Sequence, residues 1–172
     1  FLPGQYVTVR ATVEGKDIRR PYSINTMPGT KEFAITIKKV NKGLMSQYLT
    51  HIPKGSKLDI AQPDGHFTLK VSHSIVRAHY FFAAGSGITP VVSLIKTTLA
   101  TEPNSTFTLV YGNRSRGTII FFEELEALKN KYMQRFNLVH ILSRERTETA
   151  LNFGRIDQDK LTGLSKIVNY QT

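Results

Sequence analysis

The first part of the chain alternates hydrophobic and polar residues with the two-residue period of a β-strand. In residues 5–13, Val7 and Val9 stand between polar neighbours, and β-branched residues are frequent. Similar patterns predict strands at residues 20–25, 32–40, 57–61 and 66–70, and a short helix at 43–51. Several short strands with one brief helix indicate an antiparallel barrel.

The pattern changes after about residue 74. Residues 78–84 form a continuous apolar run that ends at Gly85, which is typical of a buried parallel strand. Beyond it the spacing predicts strands at 106–111 and 136–142 and helices at 90–100, 119–131 and from 157. Alternating strands and helices predict right-handed βαβ units and an open, doubly wound parallel sheet. We therefore expect two domains, residues 1–73 and 74–172.

The composition narrows the classes of function. The 172 residues include no cysteine, which excludes disulfides, thiolate catalysis and an iron–sulfur cluster bound by this segment, and fits a cytoplasmic location. No apolar run reaches about 18 residues, so we expect no membrane span. The formal net charge of +10 fits an anionic cofactor, an acidic partner or nucleic acid, and a merely basic surface is the alternative. None of the five histidines has the i, i+4 spacing of a helical zinc site, so no metal is expected.

A glycine-rich loop separates the apolar strand from the next helix. Residues 84–90 read Ala-Gly-Ser-Gly-Ile-Thr-Pro, and such a turn brings backbone amides and a helix N-terminus towards a phosphate. Pro90 stands where a dinucleotide fingerprint has its third glycine, and the next strand ends in Asn113 and Arg114 instead of an acidic residue. The loop therefore predicts a phosphate site but disfavours NAD binding through a ribose-binding carboxylate.

Two motifs in the first domain carry groups suited to a planar ligand that bears phosphates. Residues 20–23, Arg-Pro-Tyr-Ser, offer a guanidinium, an aromatic ring for stacking and a hydroxyl. Residues 43–46, Gly-Leu-Met-Ser, place a glycine and a hydroxyl at the start of a helix. An ordinary strand segment and a simple helix cap are the alternatives for these two motifs.

Taken in order along the chain, these motifs resemble those of the ferredoxin–NADP reductase superfamily. The resemblance covers nearly the whole chain and is strongest to the reductases of bacterial multicomponent oxygenases, such as the phenylacetyl-CoA epoxidase reductases, and to flavohaemoglobin reductase domains. It rests on six segments: 20–23, 37–39, 43–46, 63–67, 85–90 and 111–114.

The resemblance implies a Greek-key FAD-binding barrel followed by a doubly wound NAD(P)-binding domain. It also implies an oxidoreductase in which NAD(P)H gives a hydride to FAD, and FAD passes single electrons to an acceptor such as a 2Fe–2S centre. The expected partner is an acidic ferredoxin-like domain or protein, which the family allows to be fused downstream, and docking would use the surplus positive charge.

The family also implies roles for individual residues. Arg20 would pair with the FAD pyrophosphate, while Tyr22 and Ser23, the residues expected at the reaction centre, would contact the isoalloxazine and its N5 region. Ser143 and Arg144 would bind the adenosine 2′-phosphate of NADP, which favours NADPH over NADH; solvated arginines are the alternative. The complete cofactor-binding set is Arg20, Pro21, Tyr22, Ser23, Ile37, Lys38, Lys39, Gly43, Leu44, Met45, Ser46, Gly85, Ser86, Gly87, Thr89, Pro90, Asn113, Arg114, Ser143 and Arg144.

The chain departs from the family pattern at both ends. Family members have a strand or more before the segment that matches residue 1, and a Cys-Gly-Pro motif after the segment that matches residue 172. We therefore expect a fragment truncated at both ends that keeps most FAD contacts but lacks an intact hydride-transfer site. A non-catalytic fragment with weak or no FAD binding is the main alternative. A basic nucleic-acid-binding barrel is the other, but Tyr6 and Tyr22 do not interleave with basic residues on one face.

Overall fold

The computed structural model describes residues 1–167, which form two compact units. Unit 1 comprises residues 1–74 together with 89–102, and among the described residues unit 2 comprises 75–88 together with 103–167. Among residues 1–167, no helix is both long enough and apolar enough to cross a membrane.

Unit 1 contains a three-stranded antiparallel sheet. Its strands are β1 (Tyr6–Val13), β2 (Lys16–Ser23) and β3 (Asp59–Ile60), in the order β2-β1-β3. Glu14 and Gly15 form the turn between β1 and β2, and both have positive φ angles, 51° and 74°. Two positive φ angles in a two-residue loop define a type I′ turn, whose twist matches that of the paired strands.

The described strands of unit 1 do not close into a barrel, which corrects one part of the expected fold. The predicted strand at 32–40 contributes a single bridge, from Ile35 to Ile24, and the predicted strand at 66–70 contributes none among residues 1–167. The segment 32–40 is largely exposed, with residues 35–37 partly buried. Alternating sequence gives a segment the capacity to form a strand, but a ladder also requires a neighbour in register.

The core of unit 1 lies between the sheet and a short helix. Helix α1 (Leu44–Leu49) buries Met45 and Leu49 against Val9 and Ile18. Helix α2 (Ile88–Thr101) belongs to the same unit from Thr89 onwards. Its Ser93 hydroxyl donates a hydrogen bond of 2.6 Å to the Thr26 carbonyl, and Lys96 Nζ donates one of 2.9 Å to the Asn25 carbonyl. These bonds fix the backbone that follows β2.

Unit 2 is built on a parallel sheet, as the sequence predicts. Its strands β4 (Ala78–Ala84), β5 (Thr106–Asn113) and β6 (Phe136–Leu142) lie in the order β4-β5-β6. Helix α3 (Phe122–Lys131) begins three residues later than predicted, after Phe121 with φ 62°, and helix α4 (Gln158–Ile167) follows β6.

The two helices of unit 2 cover opposite faces of the sheet. His140 of β6 lies 3.7 Å from Glu126 of α3, measured from Nε2 to Oε1. The neighbouring residue Ile141 packs with Val110 and with Leu164 of α4. Because consecutive residues of a strand point to opposite faces, α3 and α4 lie on different sides. This is the doubly wound arrangement expected from the sequence, and the antiparallel-plus-parallel fold class is confirmed.

Candidate functional site

The carboxyl end of β2 carries the Arg-Pro-Tyr-Ser motif. Arg20 and Tyr22 lie two residues apart and share one face of the strand, while Ser23 lies on the other. Arg20 is exposed, and its Nη1 donates a 2.8 Å hydrogen bond to the Arg19 carbonyl. Burial raises the pKa of the Tyr22 phenol, and the nearby Arg20 guanidinium opposes this rise. A partly covered aromatic ring beside an exposed guanidinium suits a ligand that has both a planar ring and a phosphate.

The segment before α1 is fixed by the side chain of Ser46. The Ser46 hydroxyl is buried, donates to the Gly43 carbonyl at 3.0 Å and accepts from the Val40 amide at 3.1 Å. A Cβ atom at Gly43 would lie 2.7 Å from the Ser46 hydroxyl oxygen, so a larger residue here would displace that hydroxyl. The donors that the segment offers to a phosphate are therefore the first amides of α1, which have no intrahelical partners.

Residues 37–39 lie beside the same segment. Ile37 packs against the core of unit 1, whereas Lys38 and Lys39 are exposed. Lys39 Nζ lies 3.5 Å from Nε2 of His51, just beyond the end of α1. The two lysines thus add positive charge near α1.

The glycine-rich loop joins β4 to α2, as predicted. Gly85 has a φ of 51°, and residues Gly85–Gly87 form a single 3-10 turn. A Cβ atom at Gly87 would meet no other atom within 4 Å, so the space above this glycine is open. The Tyr111 hydroxyl, from β5, donates a 2.8 Å hydrogen bond to the Gly85 carbonyl. The turn is thus held from one side and accessible at Gly87.

The carboxyl ends of β5 and β6 bring four of the predicted residues together. The Ser143 amide donates to the Asn113 carbonyl at 2.9 Å, and the Arg144 amide donates to the Arg114 carbonyl at 2.8 Å. Asn113 is 9% exposed, and its Nδ2 has no hydrogen-bond partner among residues 1–167. Ligands of open α/β sheets bind at this edge, and a buried amide without a partner is a donor available to one.

Two family models match the chain, one in each half of the sequence. The oxidoreductase FAD-binding domain matches residues 1–69, and the oxidoreductase NAD-binding domain matches residues 81–170, which is more than half of the chain. The chain belongs to the ferredoxin–NADP reductase superfamily. Its two cofactors are accordingly FAD and NAD(P).

Relatives of this reductase superfamily include two bacterial proteins with similar sequences. One component of the 1,2-phenylacetyl-CoA epoxidase of Escherichia coli is 41% identical over 99% of this chain and 49% of its own length. The ferredoxin reductase component of the 3-ketosteroid-9-alpha-monooxygenase of Rhodococcus rhodochrous is 38% identical over 83% of this chain and 40% of its own length. The chain therefore spans about half the length, or less, of these relatives.

A solved structure supports the fold. The CS-b5R domains of human Ncb5or, in the NAD+ form, superpose with a TM-score of 0.81 at 24% identity. The superposition covers 97% of this chain and 49% of that one. At this level of identity the likeness shows the reductase fold alone.

The residues present fit both cofactors of the reductase family. For FAD, the exposed guanidinium of Arg20 and the first amides of α1 are hydrogen-bond donors, and the partly covered ring of Tyr22 is a surface for stacking. For the nicotinamide dinucleotide, the open space at Gly87 and the unpaired amide of Asn113 are suited to a phosphate-bearing ligand.

Sequence reasoning missed two residues that hold these loops. Tyr111 is fully buried, and burial raises the pKa of its phenol. Glu145 accepts a hydrogen bond of 2.8 Å at Oε2 from the Arg116 amide. A tyrosine inside an apolar strand is a weak signal, since a buried hydroxyl usually has a hydrogen-bond partner. Nothing in the sequence near Glu145 identifies that partner.

His140 is a partly buried titratable group outside the predicted set. Neither of its ring nitrogens has a hydrogen-bond partner among residues 1–167, although Glu126 lies 3.7 Å away. Burial lowers the pKa of His140, and the charge of Glu126 opposes that shift. Within the described part of the chain, no group of three or more His, Cys, Asp or Glu side chains is placed to hold a metal ion.

Proposed function

We propose that this chain is the flavin- and nicotinamide-binding core of a reductase that transfers electrons from NAD(P)H to a one-electron acceptor such as a 2Fe–2S centre. The main support for this proposal is that one chain joins an FAD-binding sequence to an NAD-binding sequence, each with polar groups suited to its cofactor. The chemistry that bound FAD would supply is acceptance of a hydride from NAD(P)H and release of single electrons. We assign the FAD domain to residues 1–73 and the NAD(P) domain to residues 74–172.

In the first domain the protein would bind and orient the flavin. Arg20 would neutralise the pyrophosphate, with Pro21 restricting the backbone beside it. Tyr22 would cover one side of the isoalloxazine, and the Ser23 hydroxyl would donate to its N5 region. Orientation of a cofactor ring by stacking and by a single hydrogen bond requires no general acid–base pair.

Two further segments would hold the remainder of FAD. The first amides of α1, at Leu44 and Met45, would donate to the pyrophosphate beside Gly43, and Ser46 would fix the backbone that presents them. The segment Ile37, Lys38 and Lys39 would hold the ribityl and adenosine portion through its main chain.

In the second domain the protein would bind the dinucleotide along the carboxyl edge of the sheet. The turn from Gly85 through Ser86 to Gly87 would allow the close approach of the ligand, with Thr89 and Pro90 in the first turn of the helix that follows. Asn113 would donate its unpaired amide. Arg114, Ser143 and Arg144 would bind the 2′-phosphate, which makes NADPH the preferred donor over NADH.

The electron acceptor in this proposal is an acidic ferredoxin-like domain or protein. The net charge of +10 supports it, because complementary charge steers encounter between proteins. The name of the Rhodococcus relative, a ferredoxin reductase component, also supports it. Fusion of that domain downstream in a longer protein, and a cytoplasmic location, belong to the same proposal.

A visible absorption spectrum tests the proposed function. The purified chain is measured before and after addition of FAD, and then with NADPH under anaerobic conditions. We expect flavin bands, and their bleaching by NADPH would support both cofactor assignments. Bands that persist after NADPH would support FAD binding and contradict hydride transfer by this chain. Arg20→Ala is the matched control. If this variant takes up flavin more weakly than the wild-type chain does, then flavin binds at the predicted site.

A further inference from the structure

The loops that follow β5 and β6 are joined side by side beyond the end of the sheet. The last paired residues of the strands are Asn113 and Leu142. Beyond them, the amides of Ser143 and Arg144 donate to the carbonyls of Asn113 and Arg114. These two backbone bonds extend the parallel pairing into the loops that carry the candidate phosphate ligands.

A side chain makes the next connection between the two loops. Glu145 Oε2 accepts a 2.8 Å hydrogen bond from the backbone amide of Arg116. A carboxylate that accepts from a backbone amide forms a charge-assisted bond, which is stronger than a neutral one. Glu145 thus holds the outer part of the loop that carries Arg114 against the loop that carries Arg144.

The side chain of Arg116 is directed to a different contact. Its guanidinium carbon lies 4.8 Å from the centre of the Phe122 ring, at the start of α3. This cation–π contact anchors the same loop to α3. Arg116 therefore contributes its amide and its packing to the loop. All three arginines are exposed, and the proposed phosphate ligands are Arg114 and Arg144, whose loops are joined by the backbone bond between them.

The loop after β6 is also fixed where it returns to the strand. The Gly154 amide donates to the Leu142 carbonyl at 2.9 Å, and Asn152 Nδ2 donates to the His140 carbonyl at 2.8 Å. Both bonds lie at the base of the loop. Glu145 acts further out, between the base and residues 146–150, of which all but Thr147 are exposed.

We propose that Glu145 is a positioning residue for the binding of a phosphate dianion by Arg114, Ser143 and Arg144. A carboxylate beside a phosphate site would by charge alone weaken binding of the anion. Its bond to the Arg116 amide gives it the opposite effect here, because the two arginine-bearing loops are held in one arrangement before the ligand arrives. The inference rests on the proposed function, in which this phosphate is the 2′-phosphate of NADPH.

Three variants separate the bond of Glu145 from its charge. Glu145→Gln removes the charge but keeps a side-chain oxygen that can accept from the Arg116 amide. Glu145→Ala removes both the charge and the acceptor. Glu148→Ala is the matched control, because it removes the same charge from an exposed position on the same loop.

The first measurement is calorimetric binding of 2′,5′-ADP, with 5′-AMP as the probe that lacks the 2′-phosphate. We expect Glu145→Ala to bind 2′,5′-ADP about tenfold more weakly than Glu145→Gln, equivalent to about 1.4 kcal/mol. Glu145→Gln and Glu148→Ala should remain at or above the wild-type affinity. Affinity for 5′-AMP should change less than affinity for 2′,5′-ADP in every variant.

The second measurement is hydrogen exchange at the Arg116 amide without any nucleotide. Protection should fall in Glu145→Ala and persist in Glu145→Gln and Glu148→Ala. Unchanged protection in Glu145→Ala, or wild-type affinity of this variant for 2′,5′-ADP, would overturn the role of Glu145 and leave the NADPH assignment intact. A wild-type chain that binds 2′,5′-ADP no more tightly than 5′-AMP would instead overturn the NADPH assignment, and with it the phosphate ligand inferred here.

Discussion

Replacement of Tyr111 by phenylalanine removes one oxygen atom from the interior of unit 2. That oxygen donates a 2.8 Å hydrogen bond to the carbonyl of Gly85, the first residue of the glycine-rich turn. Tyr111 has no exposed surface, so water does not replace the hydroxyl at its own position. The ring and its packing remain. The change removes the bond to Gly85 together with the interactions of the hydroxyl with the Asn113 side chain and the Ile120 backbone.

The expected loss of stability is about 1 kcal/mol, because a neutral hydrogen bond contributes about 0.5–1.5 kcal/mol net. Gly85 is partly exposed, and its carbonyl can bond to water after the substitution, which keeps the loss near this value. For a chain of this size, 1 kcal/mol corresponds to a decrease in Tm of about 2–4 °C. The loop should also exchange its amide hydrogens faster, since its conformation has lost a fixed point.

Thermal unfolding and amide exchange of Ser86 and Gly87 measure these two effects. Tyr132→Phe is the matched control, because it removes the same atom from a partly exposed ring that stacks with Lys131 and Arg135. We expect the control to leave both quantities unchanged. If Tyr111→Phe lowers Tm no more than the control does, and the loop exchanges at the wild-type rate, then the hydroxyl does not hold the turn.

Three further predictions concern the fold, the flavin site and the pH dependence of stability. Gly4→Ala should lower the free energy of unfolding, measured in urea, by about 3 kcal/mol, because the new Cβ would lie 2.0 Å from the Phe67 carbonyl oxygen. Gly15→Ala is the control: Gly15 shares the positive φ but has open space around it, so the free energy of unfolding should fall by about 1 kcal/mol. Arg20→Ala should weaken FAD binding about 10- to 100-fold in a flavin titration, with Arg20→Lys in between. Burial lowers the pKa of His140, so protonation favours the unfolded chain and stability should fall as the pH drops below about 6.5. His140→Asn should flatten that fall, and an equal decrease in both proteins between pH 7 and pH 5 would contradict the assignment.

Local patterns identified most elements because their signals lie within the elements themselves. The apolar run at 78–84 and the strand at 136–142 coincide with β4 and β6. The sequence predicts a strand only from residue 20, whereas β2 begins at Lys16. The turn before it is Glu14-Gly15, and Glu-Gly, unlike Asn-Gly or Asp-Gly, is not a strong hairpin signal. Alternation predicts a strand at 32–40 because it indicates a half-buried surface, but it does not show that a paired neighbour is present.

The candidate site likewise contains features that the sequence predicts and contacts that it does not. The glycine-rich turn is predictable because strand, glycines and helix follow one another within a few residues. The contacts of Tyr111 with Gly85 and of Glu145 with Arg116 join residues that are 26 and 29 positions apart. Such contacts depend on the register between strands, which sequence periodicity does not specify beyond the face that each residue occupies.

Three polar side chains near the candidate loops act on the backbone of those loops. Ser46 fixes the segment before α1, Tyr111 holds the turn at Gly85, and Glu145 connects the loops after β5 and β6. Experiments can therefore distinguish residues that hold a loop from residues that contact the ligand. Substitution of a loop-holding residue should speed amide exchange in the cofactor-free protein and weaken ligand binding in parallel. Substitution of an exposed arginine such as Arg20 or Arg144 should weaken binding while amide exchange in the cofactor-free protein stays unchanged, because the guanidinium acts on the ligand and not on the fold of the loop.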